Sequence, residues 1–326
     1  MQKTEKLNSS HINGSDAKRE RHEKRQMEHL PAKHIKESIP RKVFLLVNYI
    51  VLAILAAMCI LPLINVLAVS FSSSNAAAAG YVKLWPVEFT TSSYRYAMEK
   101  PQFLQAFRIS LIRVVLGYAI NMIVIILTAY PLSKEKNVFR ARSWYAWIFI
   151  VTMMFSGGLI PTYMTIKYLN MLDTMWALVL PGAVPVFNVV LMMNFFRSIP
   201  HDIEEAAFID GAGHWRTLFT IYLPLSLPSL ATISLFVLVN HWNSWFDGII
   251  YMNHTYNYPL QSYLRTIIIS PDLQSMTSSE ELVMSEISER TYKAAQIFLA
   301  AVPILCVYPF LQRYFMSGLT MGSVKG

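Results

Sequence analysis

Charge is scarce along this 326-residue chain: 15% of its residues are charged, whereas 54% are hydrophobic. Six stretches of 19 to 30 residues contain no Asp, Glu, Lys or Arg. A helix needs roughly 20 apolar residues to cross a bilayer, and lipid offers the backbone no hydrogen-bond partner outside a helix. The sequence therefore predicts an all-α membrane protein with six transmembrane helices, at about 43–70, 110–132, 143–166, 174–196, 217–246 and 294–312.

Cysteines are few, and catalytic motifs are missing. Cys59 and Cys306 lie in the first and last apolar stretches, and their isolation predicts neither a disulfide framework nor a thiolate metal site. The sequence contains no G-x-x-x-x-G-K-[ST] phosphate loop, no H-E-x-x-H metal motif and no G-x-S-x-G nucleophile motif. We therefore expect no catalytic residue, no bound cofactor and no metal site on this chain.

Basic residues are distributed unevenly between the two sides of the predicted membrane. Eleven of the 28 Lys and Arg fall within residues 1–42, and the loops on that side, with the tail, hold nineteen, against seven on the other side. Positive residues favour the cytoplasm, so both termini and the segment 197–216 are predicted to be cytoplasmic. We interpret residues 1–42 as a disordered basic tail, and because membrane orientation accounts for its charge, nucleic-acid binding is disfavoured.

A charged segment, EEAAFIDGAGHWRTLFTIYLP (204–224), precedes the fifth apolar stretch. Asp202 and Glu205 have the spacing of a reciprocal cap, which predicts a helix start, and Gly211 suits the left-handed residue that follows a helix. The residues that would share a small, mostly apolar face are Ile203, Ala206, Ala207 and Asp210. Such a face indicates either a docking surface for a partner or an interfacial helix that only joins two spans, and the pattern leaves both open.

The same segment resembles the cytoplasmic signature of binding-protein-dependent ABC importer permeases. The signature, E-A-A, three residues, G, nine residues, I, one residue, L-P, is matched without a gap from Glu205 to Pro224. FFRSIPHDIEEAAFIDGAG (195–213), NHWNSWFDGIIYM (240–252) and the ending YPFLQRYFMSGLTMGSVKG (308–326) resemble the carbohydrate-uptake branch. The ending and the segment 278–305 are similar to permeases for complex or acidic oligosaccharides.

The resemblance implies a type I ABC importer permease in the cytoplasmic membrane, which forms half of a translocation pathway for oligosaccharides. The similarity of 278–305 and of the ending extends this implication to acidic oligosaccharides. The resemblance also implies a cytoplasmic coupling helix within 202–216 that contacts a separate ATPase through Glu205, Ala206, Ala207, Asp210 and Gly211. The implied partners are a second homologous permease subunit, two ATPase subunits that bind ATP and Mg, an extracytoplasmic substrate-binding protein and membrane lipid.

Candidates for substrate contact lie near the outer end of the fifth predicted span. Asn240, Asn243 and Asp247 are spaced i, i+3 and i+7, which would place them on one helical face, and Trp242 and Trp245 lie beside them. Amides and aromatic faces suit sugar hydroxyls and rings. The alternative interpretation is hydrogen bonding between helices together with an interfacial aromatic belt.

Three further polar residues are interpreted without a substrate role. Arg108 and Arg113, at the start of the second span, could attract an anionic substrate, but an arginine near a helix end more often reaches the membrane interface. His241 is interpreted as a packed or hydrogen-bonded helix residue.

An ATP-independent secondary transporter or channel subunit is the alternative function. It would have kinked spans and no catalytic motif, but no need for an exposed E-A-A helix. Uptake that persists when ATP is removed while an ion gradient is kept would distinguish it from an ATP-driven importer.

Overall fold

The structure is a computed structural model that describes residues 39–269 and 288–321, without the side chains of residues 268, 269 and 311–321. Within these ranges every regular element is helical. The disordered tail predicted for residues 1–42 lies, up to residue 38, outside the described residues. The chain divides into two compact units, Met1–Ile60 and Leu61–Gly326, and the described part of the first unit is the beginning of one helix.

The α-helices of the described ranges are labelled in chain order. They are α1 (Ile39–Ser70), α2 (Ser74–Ala78), α3 (Ser92–Glu99), α4 (Pro101–Ser133), α5 (Arg142–Met154), α6 (Leu159–Tyr168), α7 (Met175–Val179), α8 (Val186–Ser198), α9 (His201–Ile209), α10 (His214–Thr217), α11 (Leu223–Leu225), α12 (Leu227–Asn243), α13 (Phe246–Tyr251), α14 (Leu260–Ile269) and α15 (Glu289–Met321). Short 3₁₀ turns cover Leu180–Gly182 and Thr255–Asn257, and a π-helical turn covers Leu218–Tyr222.

Helices long and apolar enough to cross a membrane are α1, α4 and α15 among the described residues. Three further candidates are helix pairs bent at short breaks, by 111° between α5 and α6, 47° between Met175–Gly182 and α8, and 82° between His214–Leu225 and α12. Each bent pair is either one broken span or a re-entrant loop. The structure has the six predicted transmembrane spans only if each bent pair is one span. The number of spans therefore stays a prediction.

The breaks coincide with glycine and proline. Gly158, with φ of 84°, precedes α6, Pro185 immediately precedes α8, and Pro228 lies in the first turn of α12. Proline removes a backbone donor and clashes with the preceding turn, so a helical ladder often ends there. The outcome depends on context, because α15 continues through both Pro303 and Pro309.

The principal core of the larger unit lies where α4 packs against α8 and α12. Its fully buried side chains include Ile125 of α4, Met192 and Phe196 of α8 and Ile233 of α12. Only 33% of the most apolar window of α4 is buried within the chain, and many of its other large apolar side chains are exposed. Such a surface suits lipid or a partner helix rather than water.

Candidate functional site

The helix α9 carries the start of the E-A-A signature and ends as a Schellman motif. Gly211 has φ of 79° and donates its N–H to the Phe208 carbonyl at 3.0 Å, while Ala212 donates to the Ala207 carbonyl at 2.9 Å. These are the two bonds of that motif, which needs a left-handed residue at the glycine position. The predicted helix stop at Gly211 is confirmed.

The predicted capping box at the start of α9 is wrong. The helix begins at His201 after Pro200, two residues earlier than a cap at Asp202 would place it, and no side chain caps it. Glu205 instead faces the imidazole of His201, with 3.2 Å between Oε1 and Nδ1, and its side chain is 64% exposed. Pro200 occupies the N-cap position, and its ring carries no oxygen that could accept from the N–H groups of the first turn.

The predicted coupling residues divide between two faces of α9. Ala207 is buried against the rest of the chain, whereas Glu205, Ala206 and Asp210 are exposed, as is Gly211 beyond the helix end. The small-residue face predicted from spacing is therefore not a single surface. Glu205 and Ala206 are accessible to a partner, whereas Ala207 packs against the rest of this chain.

Glu204, which the sequence interpretation passed over, fixes α9 to the end of α4. Its Oε1 accepts a hydrogen bond of 2.5 Å from the ammonium of Lys134, and its Oε2 accepts one of 2.6 Å from the Tyr222 hydroxyl. The Lys134 ammonium also lies 3.9 Å from the ring centre of Tyr130 and 4.0 Å from that of Tyr222. The side chains of Lys134 and Glu204 are 5% and 7% exposed, so this is a buried ion pair held between two aromatic rings.

The electrostatics of this group favour an ionised Glu204. Burial by itself would raise the pKa of the Glu204 carboxyl, but the hydrogen bonds from Lys134 and Tyr222 outweigh it and hold that pKa below its ordinary value. The two charged partners are separated by 70 residues. No local pattern could have paired them, although an acidic residue before E-A-A and a lysine at the end of an apolar run are visible in the sequence.

A second ion pair, between a buried arginine and a partly exposed aspartate, joins α4 to α13. Arg113 is 2% exposed and donates to both carboxylate oxygens of Asp247, with 3.1 Å between Nη1 and Oδ1. Arg113 also donates to the carbonyls of Ser244, at 3.3 Å, and Leu178, at 3.4 Å. The interfacial position expected for Arg113 is therefore wrong, because Asp247 and two carbonyls satisfy the guanidinium inside the bundle, whereas Arg108 is exposed.

Arg113 and Asp247 line a cavity of about 320 Å³, which is also lined by Asn121, Asn240 and His241. Asn121 donates to the carbonyls of Gly182 and Ala183, at 2.8 and 3.3 Å, where the chain breaks between α7 and α8. Its Oδ1 lies 2.7 Å from Nε2 of His241. The polar lining therefore comes from α4, α12, α13 and a broken helix pair, and it satisfies carbonyls freed by the break.

The five residues predicted to contact substrate do not form one face. Asn240 and Asp247 line this cavity, whereas Asn243 and Trp245 line a separate cavity of about 380 Å³. Trp242 is 5% exposed and donates its indole N–H to the Ala300 carbonyl at 3.0 Å, so it is a packing residue. The reason is that α12 ends at Asn243, which places Asp247 on the next helix and removes the assumed helical spacing.

His241 is buried and hydrogen-bonded, as the sequence interpretation held, and a glycine makes room for it. A Cβ added at Gly117 would lie 2.5 Å from both Cε1 and Nε2 of the imidazole. The ring thus packs directly on the backbone of α4, and Gly117 is required by close approach rather than by a turn.

These features are those of an α-helical membrane protein with a short charged helix, α9, and a polar cavity among its helices. The chain belongs to the family described as binding-protein-dependent transport system inner membrane component, whose model matches residues 116–320. The predicted family and the all-α permease fold are confirmed, and the chain is a transport component rather than an enzyme.

Two curated relatives and one solved structure match this chain over nearly their whole lengths. The chain is 39% identical over 285 residues to the polygalacturonan/rhamnogalacturonan transport system permease protein YtcP of Bacillus subtilis, covering 87% of this chain and 99% of the relative. It is 38% identical to the protein LplC of Bacillus subtilis, covering 87% and 96%. Among solved structures, it is similar to a chain of a bacterial ABC transporter involved in the import of the acidic polysaccharide alginate, with TM-score 0.79, 32% identity and coverage of 86% and 99%.

Proposed function

We propose that this chain is one of two permease subunits of an ATP-driven importer of oligosaccharides, with uronic acid oligosaccharides as the preferred class. The observation that carries the proposal is α9, which exposes Glu205 and Ala206 while Glu204 and Ala207 hold it to the bundle. Relatives named for a polyuronate and for an acidic polysaccharide support the substrate class.

In this proposal ATP hydrolysis and Mg binding belong to two separate ATPase subunits, and a second permease completes the pathway. An extracytoplasmic binding protein delivers the sugar, and both termini face the cytoplasm after six crossings. The ATPase contacts α9 at Glu205, Ala206 and Asp210, and the turn at Gly211 sets the direction in which the chain leaves that contact. Closure of the ATPase pair would then displace α9 and, through Lys134, the end of α4.

The coupling role is tested in proteoliposomes that contain the assembled complex and binding protein. Glu205→Ala removes an exposed carboxylate without touching the buried pair, so we expect the complex to assemble and hydrolyse ATP while uptake per ATP falls. Glu135→Ala, which removes an exposed acid elsewhere on the same chain, is the matched control. Normal uptake by Glu205→Ala would contradict the role assigned to this residue.

The substrate class and the energy source are tested with the same preparation. Binding protein loaded with uronic oligosaccharides should stimulate ATPase activity more than binding protein offered neutral oligosaccharides of equal length. Uptake should stop when ATP is omitted, even with an ion gradient imposed. Uptake that continues under those conditions would favour the ATP-independent transporter instead.

A further inference from the structure

The helix α14 is fixed against three neighbouring parts of the larger unit. The Ser262 hydroxyl donates to the Trp245 carbonyl at 2.6 Å, and the backbone N–H of Leu260 donates to the Ser110 hydroxyl of α4 at 2.7 Å. Gly248 of α13 allows this close packing, because a Cβ there would overlap the side chain of Ser262. These contacts hold α14 in one position relative to Trp245.

Arg265, one turn after Ser262 on α14, lies over the indole ring of Trp245. Its Cζ is 4.7 Å from the ring centre, the distance of a cation–π contact. Contact with an aromatic face leaves the N–H donors at the edge of a guanidinium free to bind a planar anion. Both side chains are accessible to a ligand, because Arg265 is exposed and Trp245 is 38% exposed. Within the described ranges Arg265 has no hydrogen bond and no carboxylate partner.

The cavity of about 380 Å³ beside this pair differs in charge from the cavity lined by Arg113 and Asp247. There the aspartate neutralises the arginine. In the cavity beside Trp245 the charged lining residue is Arg265, and no carboxylate is among the described lining residues. The amides of Asn243 and Gln261 line the same cavity. It therefore combines an uncompensated positive charge with two neutral polar groups.

We propose that this cavity is a subsite for a uronic acid unit, whose carboxylate is bound by Arg265 and whose ring hydroxyls contact Asn243 and Gln261. A guanidinium binds a carboxylate through two parallel N–H···O hydrogen bonds, which add geometric specificity to the charge attraction. A primary amide both donates and accepts, as a sugar hydroxyl does. The volume of about 380 Å³ falls within the roughly 300–1,000 Å³ typical of small-molecule sites.

The two amides favour a sugar over a lipid phosphate as the occupant. A phosphate oxygen accepts hydrogen bonds, so it would leave the amide oxygens of Asn243 and Gln261 without a donor, whereas a hydroxyl supplies one.

This inference rests on the proposed function and extends it, because selection for acidic sugars would then occur partly within this chain. In the predicted orientation α14 belongs to the extracytoplasmic side, where the binding protein would deliver the sugar.

The test measures sugar binding to the purified complex of permeases and ATPases in phosphatidylcholine nanodiscs, by saturation-transfer NMR without the binding protein. The probes are digalacturonic acid and its dimethyl ester, which share every ring hydroxyl and differ in charge. We expect the acid to bind at least about tenfold more tightly than the ester, and added salt to weaken the acid alone. Arg265→Gln should weaken the acid by about tenfold and the ester little, so that the difference between the probes disappears.

Three variants make the comparison specific. Arg265→Lys keeps the charge but loses the two-bond geometry, so its affinity for the acid should lie between those of wild type and Arg265→Gln. Trp245→Leu removes the ring that positions the guanidinium and should weaken the acid by about two- to fivefold. Arg95→Gln removes an exposed arginine of α3 on the same predicted side of the membrane, and it should leave both affinities unchanged. If Arg265→Gln does not assemble, Arg265→Lys and Trp245→Leu are compared with wild type.

Three results would overturn the subsite: equal affinities of wild type for acid and ester, unchanged affinity for the acid in the Arg265 and Trp245 variants, or no binding of either probe by wild type. Unchanged acid affinity in Arg265→Gln, together with less phosphatidylglycerol retained in native mass spectrometry, would assign the cavity to a lipid phosphate instead. These outcomes are separate from the proposed function. ATP-driven uptake of oligogalacturonides by the wild-type complex tests that function, whatever this cavity binds.

Discussion

Neutralising Glu204 while leaving Lys134 in place should loosen α9 from α4. In Glu204→Gln the ammonium keeps its position between the Tyr130 and Tyr222 rings but loses its counter-ion, and its side chain is only 5% exposed. Breaking a buried pair by removing one partner costs about 3–5 kcal/mol. The two rings and the amide oxygen still stabilise the cation, so we expect about 3 kcal/mol, the lower end of that range.

A change of that size shifts the equilibrium between attached and detached α9 by about a hundredfold. In proteoliposomes we expect Glu204→Gln to hydrolyse ATP but to import less sugar per ATP, and the purified complex should unfold at a lower temperature. The matched control is Glu135→Gln, which neutralises an exposed glutamate next to Lys134 in sequence and should change neither quantity.

A second substitution distinguishes an unpaired charge from a general packing defect. Lys134→Met/Glu204→Gln removes the stranded ammonium, and the Gln oxygen can still accept from Tyr222, so most of the lost thermal stability should return. If Glu204→Gln is as stable and as well coupled as wild type, or if the double variant is less stable than either single one, the pair does not hold α9 in the assembled importer.

Three further outcomes follow from local geometry. Gly211→Ala should lower uptake and reduce the free energy of unfolding by about 1 kcal/mol, because the φ of Gly211 is 79°. Gly213 has a φ of −80° and equally open space, so Gly213→Ala should change the stability little. Equal effects of the two substitutions in thermal unfolding would contradict this backbone argument. Trp242→Phe removes the indole N–H that donates to the Ala300 carbonyl, so it should lower the free energy of unfolding by about 1–3 kcal/mol and lower the unfolding temperature. The ratio of neutral to uronic sugar imported should not change. A changed ratio would assign Trp242 to substrate contact. Glu204 should remain ionised at pH 5 because its pKa is lowered. The stability contributed by its contact with Lys134 should be lost only as pH falls through that lowered pKa. An infrared carboxylic acid band that is present at pH 5 in wild type and absent in Glu204→Gln would refute this.

The sequence predicted what depends on local composition. Charge-free runs identified long helices such as α4, and the glycine after α9 predicted the left-handed turn that Gly211 adopts. The E-A-A signature identified the family. These features succeed because helix length, hydrophobicity and φ preference are set by neighbouring residues.

Features that depend on distant parts of the chain could not be predicted. Arg113 lies 134 residues from Asp247, and an arginine at the start of an apolar run has the same local pattern whether it reaches the interface or a buried carboxylate. The grouping of Asn243 with Asp247 failed for a related reason. It assumed one continuous helix, and the extended residue Ser244, with ψ of 124°, separates two.

The helix α4 connects the two candidate sites physically. Arg113 lies in its first half and borders the cavity, and Lys134 follows its last residue and holds Glu204 of α9. Lys134 lies 21 positions after Arg113, which corresponds to roughly 30 Å of helix at 1.5 Å per residue, including Pro131 in the last turn. Pro131 removes one backbone hydrogen bond, but the helix continues through it. Because a continuous helix moves largely as a rigid body, a displacement of α9 that pulls on Lys134 would also shift the cavity wall at Arg113. Under the proposed function, α4 connects ATP-driven movement at the cytoplasmic surface mechanically to the polar cavity. Substitutions in the Lys134–Glu204 pair would interrupt this connection without changing the exposed residues of α9 or the residues that line the cavity.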